Sequence, residues 1–197
     1  MAWTFADEIH SLSGFDADSS STTTSGETHI IHTNQWLTDG AKDVIGNLPP
    51  DLLKLCSIIS SNFTSTVVGS ESENLNTGKV FAVFAGSHEA RKIPSNQKHK
   101  AASSASVEYA AADGSDPVYY IERNRINVLP AGISTCNYEE VQYPTVVHSE
   151  SSIAIFPDEA ERLVVLYAAI KATEYMMLTE EDQEVYAPQL ATLKQDY

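Results

Sequence analysis

Basic side chains are scarce in this chain: 12 lysines and arginines stand against 27 aspartates and glutamates in 197 residues, leaving a formal net charge of −15. A protein that grips nucleic acid does so by neutralising phosphates with lysine and arginine, so binding of that kind is excluded as a first reading. Cysteine is nearly missing too. Cys56 and Cys136 are the only two, which excludes a disulfide scaffold and points to a reducing compartment. The longest uninterrupted apolar run, 163–170, has eight residues, whereas a membrane span needs about 20. The N-terminus lacks the basic-then-apolar layout of a secretory signal, and the expectation is a soluble, unprocessed protein that makes no membrane contact. No catalytic motif appears in the chain, and no catalytic residue, metal or cofactor is expected.

What is present is ordinary globular material, 42% hydrophobic and 20% charged, long enough for one domain or a helical core carrying a sub-domain. Phe5, Ile9 and Leu12 share a helical face over 4–12, ended by Gly14. The tract 16–26 is polar and without periodicity, which reads as a connector. Asn34 is expected to cap a second helix carrying Trp36, Leu37, Ala41, Val44 and Ile45 on one face, interrupted by Gly40. Pro49 and Pro50 then force a corner into a short third helix through Leu55, completing a helical hairpin. From Cys56 to Tyr143 the pattern turns to strand, at 57–68, 79–85, 107–110, 118–121, 125–129 and 135–143, with turn residues between. A helical turn is expected in 94–104. The chain closes with its strongest helix, 157–178, opened by Pro157 and three early acids and apolar around nearly its whole circumference. A last helix through Val185 and Leu190 should be kinked or ended by Pro188.

The expected architecture is α+β, a helical bundle made of the hairpin and the long C-terminal helix, with an inserted antiparallel β sub-domain. Its expected parts are N-terminal helices in 1–56 with a polar linker at 16–28, the β sub-domain in 57–150, core helices in 151–187 and an extended tail in 188–197. In the bundle, Leu163, Val164, Tyr167 and Ile170 are expected to pack on Trp36, Leu37 and Val44.

The residues that suggest chemistry are weak. Asp16, Asp18, Ser20, Thr22, Thr24 and Glu27 fall at the ligand positions of a calcium loop, but the obligatory glycine at the sixth position is replaced by Ser21. His29 and His32 are three apart without further ligands nearby and are expected to be solvated. Cys136 reads as a packed thiol, and the adjacent acids Glu139 and Glu140 as a solvated face. Charge distribution says more. Six of the 12 basic residues lie between Arg91 and Arg125, whereas residues 1–30 carry five acids and no base. Such polarity suits a subunit that docks against copies of itself or a complementary neighbour.

A succession of stretches resembles a family of virion structural proteins of tailed bacteriophages, associated with the head-to-tail connector of marine and cyanobacterial phages. They are Phe5-Ala-Asp-Glu-Ile9, Leu12-Ser-Gly-Phe15, Trp36-Leu-Thr-Asp-Gly-Ala-Lys-Asp-Val-Ile45 with Leu48-Pro-Pro50, then Arg91-Lys-Ile-Pro94 and Asp116-Pro-Val-Tyr-Tyr120. Phe156-Pro-Asp-Glu-Ala160 and Leu163-Val-Val-Leu-Tyr-Ala-Ala-Ile170 complete them. The resemblance implies a non-enzymatic homo-oligomer, a dodecameric adaptor ring beneath the portal protein, joined below to a tail tube or nozzle protein and passing genomic DNA without sequence-specific binding. It implies residence in the virion neck after assembly in the host cytoplasm. The alternative within the same class is another neck or tail structural protein, such as a tail terminator. On this reading Tyr186, Leu190, Leu193 and Tyr197 of the tail grip the portal or a neighbouring subunit. Arg91, Lys92, Lys98 and Lys100 contact the next subunit or tail component.

Overall fold

A computed structural model describes residues 3–19, 28–68, 73–103, 112–179 and 183–197. The expected strand at 107–110 and most of the 16–28 linker lie outside them. The chain divides into two compact units, one formed by residues 1–56 with 143–197 and the other by 57–142. The first is helical, the second holds all the strands among the described residues, and together they make the expected α+β protein. The second unit ends at 142, not at 150. The segment after it belongs to the helical unit because backbone N–H groups of α1 (Phe5–Ser13) bond to it, Phe5 to the Glu150 carbonyl at 2.8 Å and Ala6 to that of His148 at 2.9 Å.

α1 opens with a reciprocal cap between Thr4 and Asp7 and closes at Gly14, whose φ of +75° suits a residue without Cβ. α2 (His29–Asn47) begins five residues before the expected cap. Asn34 instead lies within the helix, its Oδ1 accepting the His148 backbone N–H at 2.8 Å and facing the His148 Nδ1 at 3.0 Å. α3 (Pro50–Leu53) is one short turn, and a further 3-10 turn spans Lys54–Cys56.

The centre of the helical unit is α5 (Asp158–Thr179), which packs against α1, α2 and α6 (Gln183–Asp196). Three partners on three sides explain why its apolar residues leave no clear polar face; Val164, Val165, Leu166, Ala168, Ala169 and Ala172 are all buried. Gly40 is the point of closest approach on α2: a Cβ there would stand 3.0 Å from the Tyr167 ring. The glycine that interrupts the apolar face in sequence is therefore what lets α2 approach Tyr167.

Among the described residues the inserted unit contains two four-stranded sheets. The first has the order β1 (Ser57–Ile59), β8 (Cys136–Val141), β3 (Val80–Ala85), β4 (His88–Glu89), antiparallel throughout. The second runs β2 (Glu73–Asn74), β7 (Arg125–Leu129), β6 (Val118–Glu122), β5 (Arg91–Lys92), and its β5–β6 pair is parallel, a departure from the expected antiparallel sheet. β6 and β7 are joined by the two-residue turn Arg123–Asn124, both residues with φ near +55° to +60°, the geometry that matches the twist of a hairpin. The core between them combines Leu75, Val83, Tyr119, Ile126, Val128, Cys136 and Tyr138. The helical turn expected in 94–104 is a 3-10 turn, Ser95–Gln97, followed by α4 (Lys98–Ala101).

Candidate functional site

Of the C-terminal residues expected to reach a partner, Leu190, Leu193 and Tyr197 make contacts within their own chain. Tyr186, Leu190, Leu193 and Tyr197 are spaced four, three and four apart, which is a helical stripe, and α6 runs straight through Pro188 to Asp196. The extended tail is thus corrected to a helix. Its stripe packs on α5: Leu193 is buried in a cluster with Leu166, Ala169 and Ile170, joined by Leu12, Leu163 and Leu190. Tyr197 stacks obliquely near Tyr167 at 6.1 Å and its hydroxyl donates to the Asp43 carboxylate. Burial and that carboxylate push the phenol well above its ordinary range. Gln189 Nε2 donates to the Leu12 carbonyl at 2.7 Å, and Lys194 pairs with Glu174 at 2.9 Å. The Lys194 and Lys171 ammonium groups hold the Glu174 carboxyl below its usual range.

This placement also redistributes the expected core. Leu37, Val44, Val164 and Ile170 are buried, while Trp36, Leu163 and Tyr167 are half-buried. Leu163 and Ile170 face the α6 cluster, Tyr167 faces Gly40 and Tyr197, and Trp36 joins a group of rings with Phe15, His32 and Tyr175 at centroid distances of 5.6 to 5.9 Å. His29 and His32 belong to that ring cluster, His29 lying 4.7 Å from Phe15 and His32 5.7 Å from Trp36. Both are half-buried, partly covered by the return of the chain at Phe15 and by the α5 side chain Tyr175. The same return is pinned residue by residue. The Phe15 carbonyl meets His10 Nδ1 at 3.1 Å, that of Asp16 meets His29 Nδ1 at 3.2 Å, that of Ala17 meets Thr33 Oγ1 at 3.4 Å, and the Asp18 carboxylate meets His148 Nε2 at 3.5 Å. Residues 20–27 of the calcium-loop pattern lie outside the described residues. Among the described residues no group of three histidine, cysteine or acidic side chains is placed to hold a metal.

In the β unit the basic segment is partly committed internally. Arg91 forms a two-pronged pair with Asp116, at 2.7 and 3.2 Å, and Lys98 pairs with Glu122 at 2.7 Å. The Lys98 ammonium, bonded to it, holds the Glu122 carboxyl below its ordinary range. Lys92 and Lys100 are the exposed members of the set.

Glu140 is the residue that sequence reasoning misread. It is 2% exposed, and its carboxylate receives the backbone N–H groups of Asn76, Thr77 and Gly78 together with the Thr77 hydroxyl at 3.1 Å. Three successive amides converging on an anion make a small cradle, here filled by the protein's own side chain. Glu139 points the other way and accepts the Ser57 hydroxyl. The signal was available: strand alternation places Glu140 on the same face as Cys136 and Tyr138. Cys136 is fully buried, its Sγ 3.4 Å from the Ile133 carbonyl, and burial pushes its thiol up, away from nucleophilic use.

No protein-family model matches the chain, and no curated protein matches it. No helix among the described residues is long and apolar enough to cross a membrane.

Proposed function

We propose that this protein is a structural head-to-tail adaptor subunit of a tailed bacteriophage, assembling as a ring beneath the portal and joining it to a tail tube or nozzle protein. The observation that carries the reading is the organisation of the chain: both ends build one helical unit and a β unit is inserted between them, the plan that the sequence resemblance implies. Charge supports it. The helical unit holds 18 acidic against 5 basic side chains, a net of −13, and the β unit 9 against 7, a net of −2. Twelve copies at −15 carry about −180, and an acidic channel wall repels phosphates so that DNA passes without sticking.

Since Leu190, Leu193 and Tyr197 hold α6 in place, contact with the portal or the next subunit falls to the apolar side chains that the helices leave outside. The most exposed of these are Leu178, 85% exposed at the end of α5, and Val185, 67% exposed at the start of α6. Exposed, well-anchored apolar residues serve as interface anchors. Mass photometry of the protein mixed with its portal should show a ring-sized complex. The double variant Leu178→Asp/Val185→Asp should lose it while keeping its circular dichroism spectrum and melting midpoint. A chain that ignores the portal but joins tail components would be a neck or tail part of another kind; turnover of a small molecule by the monomer would end the structural reading.

A further inference from the structure

His148 is held through its backbone and through both ring nitrogens, and these contacts together set its charge. Its backbone N–H donates to Asn34 Oδ1 at 2.8 Å, so the Asn34 atom at that place is the amide oxygen and not the nitrogen. The same oxygen lies 3.0 Å from the ring Nδ1. Two acceptors do not bond each other, so Nδ1 carries a proton. On the far side of the ring, Nε2 faces the Asp18 carboxylate at 3.5 Å. A neutral ring with its proton on Nδ1 would turn a bare lone pair toward that carboxylate, whereas the imidazolium suits both neighbours. The His148 side chain is 17% exposed and that of Asp18 62%, so one partner is enclosed and the other can leave.

We infer that His148 and Asp18 form a proton-operated clasp on the return of the chain after α1, closed while the imidazole is protonated and the carboxylate is not, and released as pH climbs through the histidine range. The ring itself stays in place in both states, because Asn34 of α2 holds it and the Ala6 N–H of α1 bonds the His148 carbonyl at 2.9 Å. Titratable groups on the elements around it have bonds of their own. On α1, Asp7 holds the Thr4 cap and His10 meets the Phe15 carbonyl; on α2, His29 meets the Asp16 carbonyl, His32 lies in the ring cluster and Asp39 binds Gln35 and Lys42. On the segment of His148, Glu150 accepts the Val147 N–H at 3.3 Å. His10 and His29 each need one donor nitrogen, which a neutral imidazole also has. Phe15 and Ala17 are buried and anchor the return at any pH, so the clasp governs its Asp18 end. The inference concerns the fold of one chain and stands independently of the adaptor reading.

NMR of the nitrogen-labelled histidine rings in the full chain tests it. Both ring nitrogens of His148 should be protonated at about pH 5.5, and the proton that remains at about pH 8 should sit on Nδ1, whereas a free neutral imidazole favours Nε2–H. The Ser19 amide bonds the Asp16 carbonyl across the same turn. Its exchange, corrected for the intrinsic effect of pH, should be about threefold more protected at the lower pH than at the higher. Asp18→Asn, at an exposed side chain, should fold as the wild type does and lose that difference, and His148→Gln should lose it as well. His88→Gln, in the β unit, should keep it. A neutral His148 with its proton on Nε2 overturns the inference, as does equal protection of Ser19 in the wild type at the two pH values. A difference that survives in Asp18→Asn would also overturn it, by assigning the effect to His10 or His29.

Discussion

The helical unit and the β unit solve the problem of burial by different means. In the helical unit a single apolar rod, α5, is surrounded by α1, α2 and α6, and polar groups close the periphery: the Thr4 cap, the histidines around Phe15–Asp18, the Tyr197–Asp43 bond. In the β unit a carboxylate sits inside. Glu140 is as buried as the valines and tyrosines beside it and gathers the amides of the β2–β3 turn. The contrast teaches that the first unit tolerates its large negative charge because nothing charged is needed at its centre, whereas the second is nearly neutral yet depends on one ion.

The comparison breaks first at α5. Leu166→Ala, which empties the space shared with Leu193 and Ile170, should destabilise the protein by about 2–5 kcal/mol, read as a lower denaturation midpoint with faster amide exchange across α5 and α6; exchange in β3 and β8 should change little. The β unit is challenged by Glu140→Ala, which strands the turn amides at a cost of about 1–3 kcal/mol. The loss of protection should centre on residues 76–78 and β8, and an equal loss in α5 would mean that the units do not differ as described. The smallest effect sharpens the periphery. With its phenol raised above the ordinary value, Tyr197 contributes stability that is fully present below the normal tyrosine range and is lost as pH climbs through and beyond it. Tyr197→Phe should therefore lower stability at neutral pH by the contribution of that bond and remove the alkaline fall, so that the two stability profiles converge as pH rises beyond the tyrosine range.

Much of the helical unit was legible in sequence because its signals are local. Thr4 with Asp7, Gly14, Pro157 and the acids after it mark helix ends by bonds made within a turn, and the all-round apolarity of 163–170 announced a central helix. The start of α2 was not legible: Thr28 makes no side-chain cap, and Asn34, the better cap on paper, is used for a bond to His148, 114 residues away in sequence. β2, β4 and β5 are two residues each and exist only because a neighbour pairs with them. The helical stripe of α6 was hidden by Pro188, whose expected break is avoided within the second turn, and the inward turn of Glu140 by the habit of reading paired acids as solvent-facing.

The insertion has a consequence for synthesis. Residues 57–142 are continuous and can close on themselves as soon as they are made, but α1 and α2 gain their main partner only when α5 has been translated, more than a hundred residues after α2 ends. While the ribosome works through that interval, Phe5, Ile9, Leu37 and Ile45 have nothing to bury against. The newborn amino-terminal third is thus the part most in need of a chaperone, and slowing translation within the inserted unit should lower the yield of native protein more than slowing it after Thr179.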